Sequence, residues 1–422
     1  MFKFIHAADI HLDSPLHKLD VYDGAPVQQI RQATRAAFEN LVNLAINQEV
    51  SFVLLSGDLY DGDWKDYNTG LYFVSQMRKL RNANIAVFII AGNHDAASKI
   101  TKHLKLPEGV TVFPSNKPET FKLPNQDVAV HGQSFASPAI KKDLSADYPN
   151  AEPGYFNIGM LHTCVTGKEG HASYAPCTID GLISKGYDYW ALGHIHKFEI
   201  LKNDPVIVFP GNIQGRHIRE TGAKGCLLVT VADNGKPATK FIALDVIRWF
   251  SLSVDATDTD NVYDVIDRFK ATLTDLINEN PDMPLVVRVI ITGNTTAHNN
   301  LVSGMERWKN EIRATAADIS QETVWIEKIK IQTGLPASNT LFETADGPIG
   351  ELASIFDELR NHPENLSSLI SEEFSALEVK LPIELKTDDD PLLLSDPKWL
   401  SAILEQVKPL LMHRLMKKDG GK

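Results

Sequence analysis

The chain has 422 residues, 43% of them hydrophobic and 23% charged, an ordinary balance for a soluble globular protein and enough, at about 150 residues per domain, for two or three domains. Its formal net charge of −12 excludes a surface that grips nucleic acid by global charge, so an anionic substrate is either small or held locally with a partner's help. No apolar run reaches the roughly 18 residues of a membrane helix, a first strand from Phe2 leaves no room for a signal peptide, and three scattered cysteines (Cys164, Cys177 and Cys226) fit packed thiols in a reducing cytoplasm.

Residues 2–8 read as a strand that runs into Asp9-Ile10-His11. Residues 27–48 place Ile30, Ala33, Ala37, Phe38, Leu41, Leu44 and Ala45 at helical spacing, which predicts an amphipathic helix. The strand at 52–56 follows and leads into Gly57-Asp58-Leu59-Tyr60-Asp61, so strand, helix and strand make a βαβ unit. A second helix is expected at 68–82. After it, seven apolar residues at 85–91 stop abruptly at Gly92-Asn93-His94-Asp95. Such a run ending at glycine reads as a strand buried on both faces. Short strands at 111–113, 121–123 and 128–132, with turn signals between them, point to a second sheet. The strand at 156–161 ends at His162-Thr163, that at 189–192 at Gly193-His194-Ile195-His196, and that at 206–209 at Pro210-Gly211-Asn212. Strands at 225–232 and 239–244 close this domain.

From about residue 247 the pattern changes to strand 249–254, helix 261–278, strand 284–292, helix 300–317 and strand 323–332, a small α/β module. Beyond it the chain is helical and acidic. Residues 336–422 hold 9 Lys and Arg against 16 Asp and Glu, a balance of −7, with helices expected at 350–360, 365–379 and 397–416 and a solvated link at 386–391. Such amphipathic helices either pack on their own domain or are offered to a partner. The expected domains are thus residues 1–246, 247–335 and 336–422.

Ligands of α/β sheets bind outside the carboxyl ends of the strands, where five polar clusters fall in this chain. In Asp9-x-His11 and His194-x-His196 the spacing of two sends both side chains to one face of an extended backbone. Seven oxygen and imidazole donors at one sheet edge are ligand supply for two metals. Carboxylate and imidazole without thiolate suit manganese, iron or zinc.

The ordered set Asp-x-His, Gly-Asp, Gly-Asn-His-Asp, His and Gly-His-x-His over residues 1–215 resembles the calcineurin-like metallophosphoesterase superfamily. Within it, residues 4–12, 192–197 and 209–212 look like the SbcD-type DNA repair exonucleases and most like their bacterial YhaO-like branch. The resemblance implies an α/β fold, a two-sheet sandwich flanked by helices with two divalent ions at its top edge, followed by a small α/β capping domain and a helical C-terminal region. By that resemblance Asp9, His11 and His196 hold the first metal, Asn93, His162 and His194 the second, and Asp58 bridges them. Two ions about 3.5–4 Å apart can clamp the attacking and leaving oxygens of a phosphate and lower the pKa of a bound water. His94 is expected to assist the leaving oxygen, with Asp61 as the carboxylate that orients it; a helix-capping role is the plainer reading of Asp61. Asp95 is read as a structural cap, and Cys164 as structural.

Lys99 and Lys102 on a predicted helix after the central motif, and Arg216 after the Pro-Gly-Asn turn, are candidate substrate contacts. His6 and His131 have no matching spacing and are read as ordinary. The expected activity is therefore that of a cytoplasmic, manganese-dependent DNA exonuclease or endonuclease in DNA repair, with iron, magnesium or zinc as other metals. A coiled-coil ABC-type ATPase is expected on the C-terminal region, with homodimerisation and no membrane. The rival readings are a phosphomonoesterase or small-molecule phosphodiesterase on the same site, and a non-catalytic subunit that docks a partner.

Overall fold

The computed structural model describes residues 1–14, 27–61, 67–97, 105–165, 175–321, 323–336 and 348–362, with scattered positions between 366 and 411. Contacts divide the chain into two units, one of Met1–Ser251, Asn280–Val287 and Thr323–Glu327, the other of Leu252–Glu279, Arg288–Glu322 and Lys328–Lys422.

In the first unit, β1 (Phe2–Ala7), β2 (Phe52–Ser56), β3 (Ala86–Ile90) and β4 (Val110–Val112) run parallel, and β11 (Gly225–Val231) and β12 (Pro237–Ala243) extend the sheet antiparallel beyond β1. The strand order is β12-β11-β1-β2-β3-β4. A second six-stranded sheet takes β5 (Glu119–Leu123), β6 (Val128–Gly132), β7 (Phe156–His162), β8 (Tyr189–Gly193), β10 (Val206–Phe209) and β9 (Glu199–Asn203), in that spatial order. Its inner strands β6, β7, β8 and β10 are also parallel.

Alternation along each strand decides which layer a side chain joins. Phe4, Phe52, Leu54 and Phe88 pack inward with Ile158, Met160, Tyr189 and Ala191 of the second sheet. Phe4 stacks on Phe52 at 5.0 Å and meets Tyr189 edge-on at 5.2 Å. The alternate residues Ile5, Val53, Leu55, Val87 and Ile89 pack with Ala37, Phe38 and Leu41 of α1 (Val27–Asn47) and Phe73, Met77 and Leu80 of α2 (Tyr67–Asn82). Trp190, Leu192 and Ile207 on the outer face of the second sheet pack with Leu182 of α4 (Ile179–Ile183), which follows the short α3 (Asn93–Ala97). Burial on both faces is why the strands read as unbroken apolar runs, and each such side chain contributes roughly 1.5–3 kcal/mol.

A third, three-stranded sheet has the order β13 (Arg248–Asp255), β14 (Leu285–Asn294), β15 (Val324–Gly334). In the second unit, α5 (Val262–Glu279) buries Val262, Val265, Ile266, Phe269, Leu273 and Leu276, a stripe at helical spacing. The helix expected over 300–317 is two helices, α6 (His298–Ser303) and α7 (Met305–Ser320), broken at Gly304. There the Trp308 indole donates to the Asn300 carbonyl at 2.9 Å, and a Cβ on Gly304 would lie 2.8 Å from that indole nitrogen. Strand β9 and helix α4 had no sequence counterpart, being short and without strong periodicity. In the acidic tail, α8 (Pro348–Asn361) matches the first expected helix; the solvated link at 386–391 lies outside the described residues. Among the described residues no helix is long and apolar enough to cross a membrane.

Candidate metal centre

The parallel register brings the ends of β1, β2, β3, β7 and β8 to one edge, and the loops that follow are stitched together there. Asp9 N donates to Gly57 O at 3.0 Å, His11 N to Asp58 O at 3.0 Å and Leu12 N to Leu59 O at 2.9 Å, while Thr163 N donates to Gly193 O at 3.1 Å. Close approach explains two glycines of the motifs. A Cβ on Gly57, which has φ +94°, would lie 2.3 Å from His162 Nδ1, and one on Gly92 would lie 2.3 Å from Asp58 Oδ1. Four of the seven donors sit in left-handed backbone: φ is 53° at Asp9, 46° at His11, 52° at Asp58 and 105° at His194. Such conformations cost a non-glycine residue about 1–3 kcal/mol each and cluster at functional sites.

Two donor groups form from the expected ligands, beside a third of His11, Asp61 and His94. Asp9, His11 and His196 bring ligand atoms within 4.8 Å of one another, and so do Asp58, His162 and His194. Asn93 joins the second, with Oδ1 2.9 Å from His162 Nε2. Asp58 lies between the groups: its Oδ2 is 3.4 Å from His162 Nε2 and 3.9 Å from His11 Nε2. Asp9 accepts from His194 N at 3.1 Å and Asp58 from His94 N at 3.0 Å, which fixes both carboxylates.

The donor chemistry fits divalent cations. His162 Nδ1 faces the Ser56 carbonyl at 3.0 Å and so carries a proton. Its Nε2 faces the acceptors Asn93 Oδ1 and Asp58 Oδ2, an arrangement that needs positive charge, on the ring or among the three atoms. His11 Nδ1 is buried with no hydrogen bond among the described residues, and its Nε2 lies 3.3 Å from His196 Nε2. Burial raises the Asp9 carboxyl to about 6 and lowers His11 to about 3, the latter helped by the Arg216 charge. At the His162–Asp58 pair, burial disfavours both charges, but mutual attraction wins, holding Asp58 below and His162 above the usual range.

His94 stands beside these groups, its side chain 41% exposed, with Nδ1 2.8 Å from Asp61 Oδ1. That bond raises its pKa against the opposing effect of burial. Asp61 also lies 3.7 Å from His11 Nδ1, accepts from Ser14 Oγ and takes Arg216 Nη1 at 3.4 Å. Asp95 accepts from the backbone N–H groups of Gly92, Leu59 and Tyr60 at 3.0–3.2 Å, so it clamps the loops after β2 and β3 together rather than only capping a helix.

The structure draws Arg216 into the site's wall: its side chain is 13% exposed and it pairs with Glu220 at 2.9 Å as well as with Asp61. Lys99 and Lys102 lie outside the described residues. His6 is a buried core residue bonded to Tyr189 Oη and the Leu192 carbonyl, both at 3.0 Å. His131 is likewise buried, bonded to Thr120 and Asn157. The three cysteines are buried and in no disulfide. Sequence reasoning missed Glu220 and Lys224, both buried beside His196; a charged residue amid the run that follows Pro210-Gly211-Asn212 was the available signal. Burial alone would raise Glu220, but bonds from His196 and Arg216 hold its carboxyl well below the ordinary range.

A two-sheet sandwich with paired Asp, His and Asn donors at its strand ends defines a metal-dependent phosphoesterase, and the calcineurin-like phosphoesterase family matches residues 2–198. The middle domain of metallophosphoesterase YhaO matches residues 249–334. The uncharacterized metallophosphoesterase YhaO of Bacillus subtilis is 33% identical over 375 residues, 85% of this chain and 90% of its own. The chain therefore belongs to the calcineurin-like metallophosphoesterases of the YhaO type. The DNA double-strand break repair protein Mre11 of Sulfurisphaera tokodaii is 23% identical over 73% of this chain and 78% of its own. A solved dimetal phosphatase from Danio rerio covers 57% of this chain and 99% of its own at 11% identity and a TM-score of 0.35, too low a likeness to bear on function.

Proposed function

We propose that the protein is a two-metal phosphodiesterase that cleaves DNA in repair. One observation carries the reading: seven donors gather around Asp58, which lies 3.4 Å from His162 and 3.9 Å from His11, and His94, backed by Asp61, stands open beside them. In this assignment Asp9, His11 and His196 hold one divalent ion, Asn93, His162 and His194 the other, and Asp58 both. Divalent ions held there, manganese by preference, would supply an activated water and neutralise charge on the phosphate. His94 gives its proton to the leaving oxygen, and Asp61 holds the ring so that Nε2 is presented outward. DNA as substrate draws support from likeness to relatives named for double-strand break repair. Residues 247–335 serve as a capping domain, and the acidic residues 336–422 as the docking region for a coiled-coil ABC-type ATPase in a cytoplasmic, dimeric assembly.

The net charge of −12 favours a second reading, a small phosphoester as substrate. Assays of linear duplex DNA against a chromogenic phosphodiester, each with manganese or magnesium, separate the two. Metal-dependent degradation of DNA is the expected result. Turnover of the small ester with intact DNA would select the second reading.

A further inference from the structure

Behind His196 stands a group whose geometry assigns it a task. Glu220 is buried, and its Oε1 lies 2.7 Å from His196 Nδ1. An ionised carboxylate only accepts, so Nδ1 carries the ring proton. Arg216 Nη2 lies 3.3 Å from the same nitrogen, but it too is a donor, and its own bond is to Glu220 Oε1 at 2.9 Å. A neutral His196 therefore presents a bare Nε2, 3.9 Å from Asp9 Oδ1 and 3.3 Å from His11 Nε2.

The carboxylate is itself immobilised. Its Oε2 accepts from Asn212 Nδ2 at 2.9 Å and from Arg216 N at 2.8 Å. Lys224 Nζ donates to the His196 carbonyl at 2.8 Å and holds the backbone of the same residue. The His196 side chain is 28% exposed, so packing alone does not fix its ring. The anchor comes from the Pro210-Gly211-Asn212 turn and the segment after it, which return Asn212, Arg216 and Glu220 to the edge that His196 reached from β8.

We propose that Glu220 is the positioning residue of His196, fixing its tautomer and ring plane so that Nε2 is offered to a divalent ion, and that Arg216 ties this carboxylate to Asp61 behind His94. The inference rests on the metal assignment proposed above. A carboxylate behind a ligating imidazole raises its basicity and removes the freedom to turn; loss of such a partner typically weakens metal binding 10- to 100-fold.

The first test needs neither metal nor a Glu220 variant. In metal-free protein with 15N-labelled histidine, near pH 8, the ring-nitrogen shifts of His196, assigned by their absence in His196→Gln, should report the Nδ1-protonated tautomer. An Nε2-protonated ring or an even mixture would overturn the proposal. The second test titrates manganese into wild type, Glu220→Gln and His196→Gln by calorimetry. Glu220→Gln should weaken one of two binding steps by about 10- to 100-fold and leave the other within about threefold. Weakening in His196→Gln but none in Glu220→Gln sinks the positioning role and leaves the metal assignment standing. Unchanged binding in His196→Gln sinks the metal assignment itself, while the tautomer still judges the Glu220 contact. Should Glu220→Gln fail to fold, the tautomer of the wild-type protein decides.

Discussion

In the first unit, Asp9, His11 and Asp58 hold positive φ while buried at strand ends; in the second, Asp258 and Gln321 hold it while exposed, one after β13 and one as the cap of α7. The exposed pair follows ordinary chain chemistry. A helix commonly ends in one left-handed residue, and Asp tolerates that region in turns. The buried set, Asp and His as well, adds to that tolerance a constraint from outside the local chain. It is imposed by neighbours, namely the ladder bonds to Gly57 and Asp58 and the carboxylate bonds to the N–H groups of His194 and His94. Strain that the surroundings over-determine, placed where donors converge, is a mark of function that strain at a helix end is not.

The hardest blow to this contrast is aimed at Asp58, whose carboxylate lies 3.4 Å from His162 Nε2 and 3.9 Å from His11 Nε2. Asp58→Asn keeps the shape and removes the charge. Activity should fall by roughly 10³-fold or more, on the scale of several kcal/mol that a metal contributes, and bound metal should fall with it. Elemental analysis that finds two equivalents still bound in the variant would refute the bridging role.

His94 is the next largest effect and separates acid from ligand. It is adjacent to Asn93, yet only Asn93 reaches His162, while His94 turns to Asp61. His94→Gln should slow DNA cleavage by about 10²-fold or more at unchanged metal content. A nitrophenolate leaving group needs less protonation, so hydrolysis of a nitrophenyl phosphodiester should suffer less. Equal losses on both substrates would point instead to orientation of the phosphate.

Much of this edge was legible because each donor but His162 closes an apolar run at glycine or in a spacing of two, and His162 directly follows such a run. The chain between β1 and β3 therefore announces both its parallel sheet and its donors. Glu220 was not legible: it ends no strand, and its meaning depends on a fold-back of 24 residues onto His196. Arg216 was read as a contact for substrate, and only the structure shows its charge engaged by Glu220 and Asp61. Positive φ at Asp9 or His194 was likewise not legible, since Asp and His tolerate that region without requiring it. In the second unit the stripe of α5 was plain, whereas the break at Gly304 hung on one contact with Trp308.

Strand β1 buries His6 in the core, whereas His11 lies beyond its end at the metal centre. Burial lowers His6 to about 3, against an ordinary 6.5, with the Leu192 bond opposing. The unfolded chain therefore takes up this proton first as pH falls. The stability tied to neutral His6 is complete above about 6.5 and drains away between there and about 3, at roughly 1.4 kcal/mol per pH unit for one proton. Urea melts from pH 7 to pH 4 should show a shallower acid loss in His6→Gln than in wild type. Parallel pH curves for the two proteins would mean that His6 is not held neutral.

The smallest expected effect lies farthest along the chain from the donors. Each donor, and each carboxylate, amide or guanidinium that orients one, lies between Asp9 and Glu220, in the first unit. Removal of residues 347–422 takes away α8 and an acidic balance of −5, 9 Lys and Arg against 14 Asp and Glu, but no member of either group. Hydrolysis of a small phosphodiester should thus stay within about threefold of the full chain, under roughly 1 kcal/mol in the barrier. Binding to a coiled-coil ATPase, by contrast, should weaken if this tail is the docking region. Circular dichroism on the shortened protein guards against a trivial loss of fold. A folded truncation that binds two metals yet no longer hydrolyses the small ester would give the tail a part in catalysis and dissolve the division between the two regions.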